Sequence, residues 1–166
     1  MTHDVFISHS AHDRDVADAA CIALEQRGFR CWIAPRDLAP GRGHGEAIAA
    51  SRVFLLVVSA ATDGREAQQA ADAGLPMVAL RIAEVRPEGL PASASWVDAL
   101  TPPIAPHLDY LGDTVAELLD SVRRGPLPGT APLRRAAPAW LPIALAGAAG
   151  VAAIALAAAY VGSKPG

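Results

Sequence analysis

Apolar residues in the first 125 positions fall into short dense runs separated by longer amphipathic ones. The dense runs His3–Ser8 (HDVFIS), Arg30–Ala34 (RCWIA), Arg52–Ser59 (RVFLLVVS) and Pro76–Ile82 (PMVALRI) predict four strands. The third is too continuously apolar to have a wet face. Ser95–Leu100 (SWVDAL) is a candidate fifth. Between the strands, Asp13–Arg27 places Val16, Ala20, Ala23 and Leu24 at i, i+4, i+7 and i+8, ahead of Gly28 as a C′ residue. That spacing predicts an amphipathic helix. Gly64–Ala73 reads as a short helix closed by Gly74. Asp113–Arg124 reads as the last one, on a stripe of Leu111, Val115, Leu118, Leu119 and Val122.

Strands that alternate with helices imply an α/β fold with a parallel sheet, in which ligands bind beyond the carboxyl ends of the strands. Three polar groups end predicted strands there: Ser8-His9-Ser10, Pro35-Arg36-Asp37 and Ser59. The turn after the first strand, SHSAHD, lacks the glycine pattern of a dinucleotide fold, and no G-x-x-x-x-G-K-[ST] loop is present. Ser59 stands where a phosphoacceptor receiver would need an aspartate. The glycine-rich stretch Pro40–Gly45 (PGRGHG) could cradle a phosphate with Arg42 and His44, but reads better as a loop.

Charge divides the chain. All 17 acids lie between Asp4 and Asp120, against nine arginines in that span. Arg123, Arg124, Arg134 and Arg135 then form a basic collar without an acid, and the only lysine is Lys164. An acidic globule argues against nucleic acid as a partner, and the collar points to a membrane surface. Residues 125–138, with four prolines, read as an extended linker. From Ala139 to Val161 the chain runs 23 residues without a charge, enough to cross a hydrocarbon core of about 30 Å as a helix. Trp140 and Tyr160 stand near its ends, and the arginines before it place residues 1–138 on the cytoplasmic side, with a short tail at 162–166. The expected protein is therefore a single-pass, tail-anchored membrane protein that contacts lipid. Cys21 and Cys31 lack metal-ligand spacing and read as free thiols. His9, His12 and Asp13 could be drawn as metal ligands, but no fourth ligand is evident, so no metal is expected.

Four pieces, in order and spacing, resemble one family. HDVFISHS is similar to the first strand and first box of bacterial TIR domains (Toll/interleukin-1 receptor homology). RCWIAPRDLAPG resembles their second strand and BB loop, SRVFLLVVS their third strand, and SWVDALTPP the segment before their last helix. The resemblance covers about residues 3–123, so residues 1–124 are taken as the domain. It implies a flavodoxin-like fold and one of two roles. The first is cleavage of NAD⁺ at the nicotinamide–ribose bond, switched on by self-association, in signalling or defence against phage. The alternative is a non-catalytic adaptor. For the enzyme, the resemblance implies Glu66 as the catalytic carboxylate. Ser8, His9, Ser10, Arg36, Asp37 and Ser59 are then substrate-binding candidates, with NAD⁺ as substrate and no separate cofactor. For either role it implies a self-association loop of Pro35, Arg36, Asp37, Leu38, Pro40 and Gly41. On the residues alone, Glu66 reads as a solvated helix charge beside Asp63 and Arg65. Two departures flank the expected pocket: the helix after the BB loop (GHGEAIAAS) is about a turn short, and only AATDG separates Ser59 from the Glu66 helix.

Overall fold

The computed structural model describes residues 3–41 and 43–125. Five parallel strands form one sheet in the order β2-β1-β3-β4-β5. They are β1 (Val5–Ser8), β2 (Cys31–Ile33), β3 (Val53–Val58), β4 (Met77–Arg81) and β5 (Ser95–Asp98). The helices are α1 (Arg14–Gln26), α2 (His44–Ala49), α3 (Arg65–Asp72) and α4 (Ala105–Arg124). The chain leaves β1 for β2 on one side and returns to β3 on the other, so strand order reverses beside β1. This is the flavodoxin-like order, and it fixes where a crevice opens.

Alternation along each strand divides the core into two layers. Val5, Ile7, Val53, Leu55, Leu80 and Val97 face α1 and α4, packing on Leu24, Leu111 and Val115. Phe6, Trp32, Phe54, Leu56 and Ala79 face α2 and α3, packing on Ile48, Ala67 and Ala70. The small α3 residues let that helix sit close to the sheet. Parallel register places Phe6 opposite both Trp32 and Phe54. Their rings stack across three strands, Phe6 on Trp32 at 4.5 Å and Phe6 on Phe54 at 5.5 Å between centroids. Stacking of this kind adds about 0.5–1.5 kcal/mol per pair beyond area burial.

Two expectations need correction. The last helix starts at Ala105, not Asp113, because Leu108 extends the buried stripe of Leu111, Val115 and Leu119 by a turn. Pro106 lies in its first turn, where a missing N–H costs little. Within Pro40–Gly45, His44 and Gly45 already belong to α2, whose Ile48 is buried against the aromatic layer. Elsewhere the boundaries agree within a residue or two, and Gly28 takes φ +86° after α1, as a C′ glycine should. Cys21 and Cys31 are free and buried. Among the described residues no helix is long and apolar enough to cross a membrane. The expected span at 139–161, most of the linker, the tail and Arg42 lie outside the described residues.

The amino edge of the sheet is closed by Asp4, which precedes β1 and is nearly buried. Its carboxylate accepts from the Arg30 amide at 3.0 Å and the Arg30 guanidinium at 3.3 Å, just ahead of β2. Its other oxygen accepts from Arg52 at 3.4 Å, just ahead of β3. Burial pushes the Asp4 carboxyl up, but the Arg30 and Arg52 hydrogen bonds and the Arg30 charge together outweigh it, and the net shift is downward. A depressed carboxyl stabilises the fold above its unfolded value of about 4, and that contribution is lost as pH falls through the folded value. Asp4→Asn should therefore cost about 1–3 kcal/mol at neutral pH. Urea titrations at pH 7 and pH 3 test this: the gap between variant and wild type should shrink at the lower pH.

Candidate functional site

A cavity of about 600 Å³ opens at the carboxyl ends of β1 and β3, where strand order reverses. Ser8, His9 and Ser10 form one wall at the end of β1, and Thr62 and Asp63 another after β3. Glu66 and Gln69 of α3 and His44 of α2 close the remaining side. A second hollow of about 310 Å³ shares Ser8, His9, His44 and Glu66 and reaches down to Phe6, Trp32 and Pro35.

Glu66 lies in the first turn of α3, where unpaired amides and the helix dipole favour a carboxylate. Its partner is neither Asp63 nor Arg65. Those two pair with each other: Arg65 Nε lies 3.3 Å from Asp63, and the Arg65 amide donates to Asp63 at 3.1 Å. Glu66 Oε1 instead meets Nδ1 of His44 in a short, partly buried contact. The His44 ring stands edge-on to the aromatic stack, 5.4 Å from Trp32 and 6.3 Å from Phe6. The stack therefore sets the imidazole, and the imidazole sets the carboxylate. The short loop before α3 still delivers Glu66 to the cavity, because it folds tightly. Thr62 Oγ1 accepts from the Ser59 amide at 2.8 Å and donates to the Val57 carbonyl at 3.1 Å. Gly64 packs directly against backbone: a Cβ there would lie 2.0 Å from the Glu88 carbonyl oxygen, so only glycine fits.

Asp13 organises the rim. One of its oxygens accepts from both Ser10 Oγ and Ser59 Oγ, each at 2.6 Å. These hydroxyls also accept from nearby amides, Ser10 from His12 at 3.2 Å and Ser59 from Ala61 at 3.1 Å. Ser10 and Ser59 are thus committed to joining the ends of β1 and β3. Ser59 does not line the cavity, whereas Ser8, His9 and Ser10 do. His9 bridges inward, with ring nitrogens 2.8 Å from the Ser10 carbonyl oxygen and 3.1 Å from that of Ala34. In the sequence Asp13 reads as the start of a helix and a possible metal ligand, and its role as a clamp is legible only from the fold.

Arg36 and Asp37 line neither hollow. Asp37 accepts from the Ile33 amide at 3.0 Å, and its own amide donates to the Ile33 carbonyl at 3.0 Å, which closes a turn at the end of β2. Arg36 lies 2.8 Å from Glu25 of α1 and 2.9 Å from Asp37, and donates to the Cys31 carbonyl at 3.1 Å. Hydrogen bonds to Glu25, then to Asp37, push its guanidinium further up from its already high value. Leu38, next in the loop, is 41% exposed. The residue that the sequence undervalued is His44, which it placed in the PGRGHG loop and in the helix after the BB loop without a role beside Glu66. Its signal was its i, i+4 spacing to Ile48, which puts both on the sheet-facing side of α2.

Comparisons with known proteins agree with this architecture. No curated protein matches the chain. The TIR domain of the Toll-related receptor TRR-2 from Hydra magnipapillata superposes with a TM-score of 0.50 at 20% identity, covering 69% of this chain and 99% of that one. A metazoan TIR-STING receptor from C. gigas, in complex with 2′,3′-cGAMP, superposes at 0.50 with 21% identity over 72% of this chain, which spans only 40% of that receptor. At these identities the likeness concerns the fold. The family described as TIR domain matches residues 5–107. By that match this chain belongs to the TIR-domain family.

Proposed function

We propose that this chain hydrolyses the nicotinamide–ribose bond of NAD⁺, with Glu66 as the catalytic carboxylate. The observation that carries this reading is the Glu66 side chain on the cavity wall, held by His44 and the aromatic stack behind it. Nicotinamide leaves a cationic ring as a neutral molecule, so its departure needs no general acid. Positive charge develops on the ribose, and a fixed carboxylate beside it lowers the barrier. Water then adds to the anomeric carbon and releases ADP-ribose, nicotinamide and a proton. The second hollow, floored by Trp32 and Pro35, suits a flat ring. Arg36 lines neither hollow, so the cations for the diphosphate are Arg65 and Arg14, each at the lip of a hollow and in an exposed pair, with Asp63 and Asp18 respectively. Ser8 and the amides at the end of β1 supply further donors.

The same reading places residues 139–161 in a membrane as a tail anchor with the TIR domain on the cytoplasmic side, acting in signalling or defence against phage. Tethering raises effective concentration, so weak contacts between copies gain strength without new surface. A second reading, a non-catalytic adaptor, draws on the placement of Arg36, Asp37 and Leu38 outside the cavity, on a loop open to a neighbour.

NAD⁺ consumption by the purified full chain, free and crowded on lipid vesicles, tests both readings. Glu66→Gln should lower the rate by roughly 10²–10³ while leaving the melting temperature unchanged. His44→Ala should lower it by about 10- to 100-fold, because the carboxylate loses its fixed position. Persistent NAD⁺ loss in Glu66→Gln would remove Glu66 from the chemistry, and no loss by the wild type at any density would leave the adaptor. Arg36→Ala should weaken cross-linking between copies whether or not NAD⁺ is consumed; unchanged cross-linking would discard the loop as a docking surface.

A further inference from the structure

Cys21 and Cys31 lie on the other side of the sheet from the aromatic layer and take no part in the cavity. Cys21 is on α1 and Cys31 opens β2, ten residues later in the chain. Their sulfurs and a carboxylate oxygen of Glu25 lie within 4.8 Å of one another. Two features make this more than a pair of packed thiols. Glu25 anchors Arg36, which also donates to the Cys31 carbonyl, so a guanidinium stands beside the sulfurs. The two thiols are also unequal. The neighbouring Cys31 thiol and the Arg36 charge favour the Cys21 thiolate against the cost of burial, while the neighbouring Cys21 and burial raise Cys31, whose own thiol donates to the Phe29 carbonyl at 4.0 Å. Cys21 is shifted toward the thiolate and Cys31 away from it, and the two sulfurs are close neighbours. As a cation site the cluster is weaker, since it offers three donors and Glu25 is already paired with Arg36.

We propose that Cys21 and Cys31 form a redox modification site that closes an intramolecular disulfide on reaction with a peroxide. The Cys21 thiolate attacks one peroxide oxygen and breaks the O–O bond; the leaving hydroxide takes a proton, and Cys21 becomes a sulfenic acid. The Cys31 sulfur then attacks the Cys21 sulfur and expels the hydroxyl, which leaves with the Cys31 proton as water. Two thiols are oxidised, one hydrogen peroxide is reduced and two waters form. Cys21 and Cys31 are only 3% and 5% exposed, so oxidation of the pair requires local opening of α1 around Cys21. The new bond would tie α1 to β2 at the root of the Pro35–Gly41 loop, where Arg36 is anchored.

The test uses the full chain, treated with hydrogen peroxide, quenched, denatured and alkylated, with masses read before and after dithiothreitol. The wild type should become lighter by two hydrogens, lose both alkylation sites together, give a Cys21–Cys31 cross-linked peptide and recover both thiols on reduction. Cys31→Ser should instead accumulate a sulfenic acid at Cys21, and Cys21→Ser should react at least about tenfold more slowly, as expected when the more acidic thiol is lost. The proposal is overturned if the wild type gains oxygen without cross-linking, links only between chains, or keeps both thiols fully alkylatable. The wild-type masses decide the matter even if a serine variant fails to fold.

Discussion

The register of three aromatic side chains is the constraint on which the site depends. Phe6, Trp32 and Phe54 occupy matching positions on β1, β2 and β3, and a slip of one residue on any strand would turn its ring to the opposite layer. With the rings in register, their stack presents an edge to His44, and His44 fixes Glu66. The Glu66 carboxylate is therefore positioned from beneath, by buried hydrophobic geometry, more than by the loop that leads to it. That is why the abbreviated segment between Ser59 and α3 still delivers Glu66 to the cavity.

Polar residues at the two sheet edges do complementary work. Asp4 gathers the amino ends of β1, β2 and β3 through Arg30 and Arg52, with its own carboxylate buried. Asp13 gathers the carboxyl ends of β1 and β3 through Ser10 and Ser59. Each uses one carboxylate to bridge segments far apart in sequence. The Ser10 and Ser59 hydroxyls that look available at the head of the crevice are consequently spoken for.

The sequence revealed the fold class, the strands and the edge that carries the crevice, because these follow from local periodicity and from the rule for parallel sheets. It put Ser8, His9 and Ser10 at that edge, where they line the crevice, whereas Glu66 on the residues alone read as a solvated helix charge and entered only through the family resemblance. It misjudged the start of α4, where His107, Asp109 and Gly112 dilute the stripe and Pro106 reads as a break. It also could not see that Arg36 would turn away. That orientation depends on Glu25, a turn of α1 distant in sequence, and on the Ile33 amide, whose availability is known only once β2 is placed at the sheet edge. Pairings between elements are invisible to periodicity, and His44 with Glu66 is the clearest case.

His44 is the first residue of α2, directly after the loop that follows β2, and it holds a carboxylate on α3. Loop and cavity are thereby joined through one imidazole. Thermodynamic linkage then allows no one-way influence: if a ligand in the cavity shifts His44 and changes the loop's affinity for a neighbour, the neighbour changes binding in the cavity by the same factor. Occupancy and assembly, measured separately, would then be two readings of a single coupling free energy.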